Sequence, residues 1–522
     1  MQTKQTKRPN IILFLTDQQR WDTLSHFGVQ SGVTPNLDRL GETGTLFERF
    51  FTVQPVCGPA RACLQSGRYA SETGNYKNGR TLPPCNDNLG EQMKQAGYDT
   101  AYVGKWHIFG DKNPFLRGIG YDVPAQYRAG YDYWLASNAL EFTSHIEDGY
   151  VFDNRNKKVP IVGNRVDFLT DRAIEYLRNR GREKSFFLIL SQLEPHQQND
   201  LGRFCGPPGS KERFKDAPLP EDLKHLKGDY PENFADYLGA CAKLDENVGK
   251  LEAYLRESGQ WDDTLLIYTS DHGCHFKTRN GEYKRSCHDA SLRTPCVMHG
   301  PGFVGRGAVG ELGEIIDLPP TILHAAGVSS PACYHGSTLG ARLDGAAPEK
   351  DAVFAQISES ETGRCMRTKR WKYGVSGGSS FDALTKQSVD TYYETYLYDL
   401  DADPAELTNL AGDERYAAVR EELRGRLLGW ISEVERATPQ ILPLSARPEK
   451  KRYSFDMTLY QMKQDEKSMA LLQEHLPMLL KSKAVRLGEN LSFEFLKQYM
   501  VKVPFLGRKV KKFESALDRL ND

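Results

Sequence analysis

The chain has almost no net charge: 68 Lys and Arg stand against 69 Asp and Glu, leaving −1 over 522 residues. That balance excludes a basic nucleic-acid footprint and a global attraction to anionic membranes. Long apolar runs are also absent. The first run, residues 11–15, is far too short for a signal-peptide core or a membrane span. The 10 cysteines form no CxxC pair and no regular framework, which fits free thiols in a reducing compartment. There is no internal repeat and no low-complexity tract. With 39% hydrophobic and 26% charged residues, coiled coil, collagen and wholesale disorder are excluded. These absences predict a cytoplasmic globular protein acting on a small molecule or glycan, with no nucleic-acid or membrane partner.

The length exceeds the roughly 250–300 residues at which one core stops growing. Apolar runs without alternation, at 11–16, 100–104, 186–191 and 265–270, predict strands buried on both faces. Between the last two, Phe234, Tyr237, Leu238, Cys241, Leu244, Val248, Leu251 and Leu255 recur at helical steps. A helix is also expected over 89–96, closed by Gly97. Strands alternating with helices predict an α/β fold with a large, mostly parallel sheet sandwiched by helices. Its expected extent is 1–345. Short strand candidates at 353–357, 371–375 and 396–400, then a helix near 415–437, predict a small α+β subdomain over 346–445. Residues 446–522 read as a helical basic extension, with 16 Lys/Arg against 10 Asp/Glu.

In sheets of this kind ligands bind beyond the carboxyl ends of the strands. The runs deliver, in turn, Asp17-Gln18, Lys105-Trp106-His107, Glu194-Pro195-His196 and Asp271-His272-Gly273. Each end carries charged or imidazole groups, so the runs predict one polar site. Asp17, Gln18, Asp271 and His272 together suit a divalent cation: the oxygen donors fit Ca²⁺ or Mg²⁺, the imidazole Mn²⁺. An N-capping Asp in a strand-to-helix turn is the plainer reading of Asp271-His272.

The segment Cys57-Gly58-Pro59-Ala60-Arg61, running on to Gly67-Arg68, places Pro59 in the first turn of a helix and Cys57 at its start. Free amides there favour anions, and Arg61, about one turn along, is expected to fork onto the same anion. Cys57 then reads either as a low-pKa nucleophile or as a buried free thiol. The aromatic residues Trp106, Tyr131, Tyr133 and Trp134 are expected to fill a core rather than to stack on a sugar. Cys274, His275, Cys287 and His288 fit no zinc spacing, although His288 is expected to line the pocket.

These segments together resemble the type I, formylglycine-dependent sulfatases of the alkaline phosphatase superfamily. The resemblance rests on Cys57-x-Pro59-x-Arg61, Pro9-Asn10-Ile11-Ile12 with Asp17-Gln18, Gly104-Lys105-Trp106-His107, Pro195-His196 and Ser270-Asp271-His272-Gly273. It extends through Lys284 and Arg293-Thr294-Pro295 to Tyr398-Asp399-Leu400 and Asn409-Leu410, spanning roughly 8–435 and leaving the tail outside. The chain departs from the family pattern in three places. Gln18 stands where many members carry Asp, Ala60 replaces a common Ser, and Gln197-Gln198 follow His196 where many members have Pro two residues on.

The resemblance implies an alkaline phosphatase-like fold and a sulfatase acting on sulfate monoesters, expected to be those of a carbohydrate. It implies Cys57 converted to formylglycine by a formylglycine-generating or anaerobic sulfatase-maturing enzyme. Asp17, Gln18, Asp271, His272 and position 57 would hold the cation, Ca²⁺ first. A hydrated aldehyde at position 57 would attack sulfur while Arg61, Lys105 and Lys284 stabilise the sulfuryl oxygens. His196 would contact or protonate the leaving oxygen, and His107 would take a proton to expel sulfate. Two alternatives stay open: a phosphonate monoester or phosphodiester hydrolase, and an inactive glycan-binding homologue. The substrate would be a small-molecule or oligosaccharide sulfate ester. The apolar residues of 457–480 would pack on their own subunit or join a homo-oligomer.

Overall fold

The computed structural model describes residues 8–28, 32–110, 122–449, 451–481 and 492–521. Part of the basic N-terminal stretch and part of the tail lie outside the described residues. Among these residues the main sheet has 10 strands: β1 (Asn10–Asp17), β2 (Thr45–Phe51), β3 (Asp99–Lys105), β4 (Tyr133–Ser137), β5 (Tyr150–Phe152), β6 (Lys158–Pro160), β7 (Phe186–Pro195), β8 (Thr264–Ser270), β9 (Cys296–His299) and β10 (Gly307–Glu314). Their spatial order is β10-β2-β9-β8-β1-β7-β3-β4-β5-β6. The central block β8-β1-β7-β3-β4 is parallel throughout.

The sheet is covered on both faces, as its apolar runs predict. Every residue of β1, β7 and β8 is buried. Alternate side chains enter opposite cores: Ile11, Leu13 and Leu15 one, Ile12 and Phe14 the other. The helix Tyr230–Glu257 packs Leu244, Val248, Leu251 and Leu255 into the second core and Phe234, Tyr237, Leu238 and Cys241 into a smaller cluster beside it. Trp106, Tyr131 and Trp134 join Tyr102 in a buried aromatic group inside the first core, with centroid separations of 4.9 to 6.1 Å. They are packing residues, as expected. Tyr133 lies against Tyr176 at 4.5 Å.

β1 lies between β7 and β8, both later in the chain, so connections leave it in opposite directions. That creates the crevice at the carboxyl ends. A second sheet follows, ordered β11 (Ala352–Ile357), β12 (Thr362–Thr368), β13 (Trp371–Gly377), β14 (Thr391–Asp399) and β15 (Gln440–Leu442). The polar β12, Thr-Gly-Arg-Cys-Met-Arg-Thr, carries no apolar signal yet is buried along its whole length. Its arginines are matched by distant carboxylates: Arg364 forks onto Glu435, and Arg367 reaches Asp289. Sequence alone could not supply those partners. The tail forms a helical unit with its own core around Phe455, Phe493 and Phe513. Among the described residues, no helix is long and apolar enough to cross a membrane.

Candidate active site

Position 57 opens the helix Cys57–Ser66, every residue of which is buried. The Gly58 amide donates to Asn78 Oδ1 at 2.9 Å, and a Cβ on Gly58 would lie 2.8 Å from that oxygen and 3.0 Å from the His107 carbonyl. The helix start is therefore pressed against two loops that only glycine admits. Gly104 has a similar role on β3. With φ at 109° and a virtual Cβ 1.8 Å from the Ser191 carbonyl oxygen, it lets β3 turn Lys105 beneath the site. Gln18 and His107 adopt left-handed φ values of 69° and 62°, backbone strain of the kind found at functional sites.

Four strand ends converge on Cys57. Its Sγ lies 3.4 Å from Asp17 Oδ1, 3.1 Å from His272 Nε2 and 2.8 Å from Lys284 Nζ. The ligand atoms of Asp17, Cys57, Asp271 and His272 all lie within 4.8 Å of one another. His272 Nδ1 is 2.9 Å from the Gly273 carbonyl, which turns Nε2 inward. The outer oxygens of the two carboxylates are already engaged: Lys105 and Arg61 reach Asp17 Oδ2 at 2.8 and 3.2 Å, and Arg61 reaches Asp271 Oδ2 at 2.9 Å. Asp17 Oδ1, by contrast, faces position 57, and Asp271 Oδ1 lies 3.5 Å from His272 Nε2. Gln18 donates through Nε2 to Gln197 Oε1 at 2.7 Å, while its own Oε1 is buried without a partner. These oxygens, the imidazole lone pair and position 57 fit a hard divalent cation.

The electrostatics follow from burial set against charge. Burial alone would raise the Cys57 thiol, but Lys105, Lys284 and His272 hold it well below its ordinary value. Burial likewise opposes ionisation of Asp17, which Lys105 and Lys284 hold below the carboxylate range. Burial and the charge of Asp17 push the Asp271 carboxyl up to about 6 against the pull of His272 and Arg61. Glu141 overcomes its burial chiefly through Lys105, and stays ionised, down at about 2.

Of the residues expected at the site, Cys57, His107, His196 and Lys284 line one cavity of about 220 Å³. Arg61 and Lys105, expected to reach the substrate anion, lie outside that lining. The Arg61 guanidinium is 2% exposed, and beyond the two carboxylates it donates to the Lys105 carbonyl at 2.8 Å and Ser191 Oγ at 2.7 Å. Facing inward along a wholly buried helix, it braces the acidic pair. The Lys105 ammonium is enclosed between Asp17 and Glu141, at 2.8 and 3.2 Å, so it acts from beneath the floor through its field. His288 is also elsewhere, 3.1 Å from the Tyr398 hydroxyl behind the Lys284 loop, and does not line the cavity.

His196 Nδ1 lies 2.6 Å from the Gln197 carbonyl and Nε2 lies 3.1 Å from Lys284 Nζ. Burial, Lys284 and Lys105 lower its pKa against the pull of Asp17. The ring is therefore neutral, with its proton on Nδ1 and its acceptor turned to Lys284.

Glu141, Asn78 and Arg285 belong to none of the sequence motifs, yet all three line the cavity. Glu141 follows β4, a parallel strand whose carboxyl end faces the same edge, so the rule that found the other groups would have reached it. Its Oε1 stands 3.9 Å from His107 Nε2, too far for a hydrogen bond. The loop carrying Lys284 is held by the C-terminal sheet. Arg279 donates to the Ala405 and Glu406 carbonyls at 2.8 Å each, and Lys372 pairs with Asp289 at 2.5 Å and with Glu406.

The sulfatase family model matches residues 9–328, and a model for the C-terminal part of N-sulphoglucosamine sulphohydrolase matches 281–433. An N-acetylglucosamine-6-O-sulfatase of Bacteroides thetaiotaomicron is 26% identical over 501 residues, covering 81% of this chain and 86% of that protein. A multifunctional alkaline phosphatase superfamily protein of Trinickia caryophylli is 28% identical over 508 residues, covering 81% and 95%. A solved structure in complex with D-glucosamine-2-N,6-O-disulfate superposes with a TM-score of 0.66 at 24% identity, covering 83% of this chain and 99% of that one. That similarity establishes the fold.

Proposed function

The chain belongs to the sulfatase family and is a sulfuric ester hydrolase, and we propose that it cleaves carbohydrate sulfate monoesters through a formylglycine at position 57. The observation that carries the reading is the placement of Cys57. It opens a buried helix at the wall of the cavity, within reach of Lys284 on one side and the Asp17–His272 cluster on the other. The carbohydrate preference is supported by the named substrate of the 26% identical relative.

Asp17, Gln18, Asp271 and His272, with position 57, would hold the divalent cation, Ca²⁺ first by its oxygen-rich set. Bound there, a divalent cation supplies Lewis-acid stabilisation of negative charge. The formylglycine, made by a dedicated maturing enzyme and hydrated, offers one hydroxyl to attack sulfur and a second to release sulfate. The protein's own groups do the rest. Arg61 and Lys105 keep the carboxylates in place. Lys284, touching both position 57 and His196, directs its ammonium at the sulfuryl oxygens and holds the proton nearest the leaving oxygen. His196, neutral, orients Lys284 as its hydrogen-bond acceptor. A neutral ring protonated on Nδ1 has no proton on Nε2 to give. His107, on the cavity wall with Glu141 Oε1 3.9 Å from its Nε2, accepts the proton whose removal expels sulfate.

The test is the mass of the tryptic peptide carrying position 57, from protein made together with a formylglycine-generating enzyme. The expected result is aldehyde or its hydrate in place of thiol, together with faster turnover of an aryl sulfate than of an aryl phosphonate. A persistent thiol would sink the reading and favour a binding protein. An aldehyde with faster phosphonate turnover would make it a phosphonate hydrolase.

A further inference from the structure

Both family models end at or before residue 433, so the helical tail is an addition to the family fold. It packs around its own aromatic core and is not needed to complete the main one. Its position beside the active site therefore calls for a functional account. Ser380, on the short helix Ser380–Thr385 of the second domain, donates to the Asp456 carbonyl at 2.8 Å and to its carboxylate at 3.0 Å. Lys277 Nζ sits 5.2 Å from the Tyr460 ring centroid, 4.7 Å from that of Tyr283 and 3.2 Å from Asp229 Oδ2. Lys277 and Tyr283 both line the catalytic cavity. One cation thus clips the tail to the rim of the site.

Between tail and rim lies a second cavity, of about 500 Å³. Asn280, Glu282, Glu359 and Ser360 line one side, and Arg452 and Gln461 belong to the other. Glu282 lines both cavities, which makes them neighbours across a single side chain. Arg285 holds that partition, pairing with Glu282 at 2.6 Å and Glu359 at 2.7 Å, while Ser360 Oγ donates to the Arg285 carbonyl at 2.5 Å. Glu359 in turn accepts from the Asn78 amide at 2.5 Å, and Asn78 caps the Gly58 amide beside position 57. The second cavity is thereby rigidly referenced to the nucleophile.

Its chemistry is that of a sugar site. The walls offer amides and hydroxyls, carboxylates of which Glu282 and Glu359 are balanced by Arg285 and Asp456 accepts from Ser380, and the cations Lys451 and Arg452. Gln461 Oε1 accepts from the Thr458 amide at 2.9 Å, which leaves its NH₂ group for a ligand. The catalytic cavity, at about 220 Å³, falls below the roughly 300–1,000 Å³ that encloses a drug-sized ligand. It has room for the sulfated end of a substrate, and the remainder must leave past Glu282.

We propose that the tail completes a binding site for a second sugar residue, so that the enzyme prefers oligosaccharide over monosaccharide sulfates. This rests on the sulfatase reading above. The test compares the matured full-length enzyme with its Arg452→Ala and Gln461→Ala variants on three substrates. These are an aryl sulfate, N-acetylglucosamine 6-sulfate and a disaccharide containing that sulfated residue. For the disaccharide, KM is expected to rise about five- to tenfold in the variants, the loss of one or two sugar hydrogen bonds. For the other two substrates it should not change, and wild-type kcat/KM should be highest on the disaccharide. Arg452 is 77% exposed, so its truncation leaves the fold intact. Unchanged disaccharide kinetics, or an equal loss on all three substrates, would overturn the proposal while the sulfatase reading stands. Absence of aryl sulfate turnover by matured wild type would instead remove that reading. Calorimetric binding of the disaccharide to wild type and the two variants would then decide the second site by itself.

Discussion

Replacing Arg61 by methionine, similar in length but uncharged, separates a brace from a substrate ligand. The guanidinium is 2% exposed and binds two carboxylates that are 0% exposed. Removing one partner of such a buried pair costs about 3–5 kcal/mol, because the other charge is left uncompensated. The protein has a partial escape: the Asp271 carboxyl, already up at about 6, can take a proton. At pH 7 that costs about 1.4 kcal/mol per unit of pKa difference, and less once Arg61 no longer opposes it. Lys105 still neutralises Asp17. The metal-free variant should therefore lose about 3 kcal/mol, the lower end of the range. A carboxyl whose folded-state pKa lies above its unfolded value contributes stability at low pH and loses it as pH rises through the folded value. The deficit should accordingly grow from about pH 6 to about pH 8, and Ca²⁺ should shrink it by balancing the pair. Denaturant midpoints with chelator and with Ca²⁺, plus KM on an aryl sulfate, read out both possibilities. A variant with wild-type midpoints and a raised KM alone would refute the brace and return Arg61 to the substrate.

Lys284→Ala should lower kcat about 10²–10³-fold, as loss of a preorganised charge-stabilising donor does; steady-state kinetics showing only a KM effect would contradict this. Because burial, Lys284 and Lys105 lower the His196 pKa, protonation at acid pH should break its bond to Lys284. The acid limb of kcat/KM should thus fall below the ordinary histidine value of about 6.5 and shift in His196→Gln; a limb above that value, unmoved in the variant, would exclude this role. If His196 only orients Lys284, His196→Ala should slow aryl and sugar sulfates by similar factors. A much larger loss on sugar sulfates, with their poorer leaving group, would restore it as the proton donor. Stripping the cation with chelator should lower the unfolding midpoint, and re-addition at about 100 times Kd should return about 2.7 kcal/mol; no change in calorimetry would mean that the acidic cluster binds none.

The central strands were legible because burial on both faces demands unbroken apolar runs, and each run ended on a polar group at the site. That local pattern places Asp17, Lys105, His196 and Asp271 at one sheet edge. The Cys57 helix start was legible too, from Pro59 and the glycines around it. What sequence order cannot carry is the direction of a side chain within that edge. Arg61 and Lys105 were expected to face the anion. They face the carboxylates because the helix Cys57–Ser66 is buried on every side and Gly104 turns Lys105 beneath the floor. Glu141 belonged to no motif, and β12 reads as polar loop until Glu435 and Asp289 arrive to pair its arginines. The tail's helices were visible in its pattern, but their docking beside Glu282 was not. Periodicity and strand-end chemistry act over a few residues and are written locally. Charge pairing, pocket walls and subdomain docking join residues hundreds of positions apart, and only the folded chain decides them.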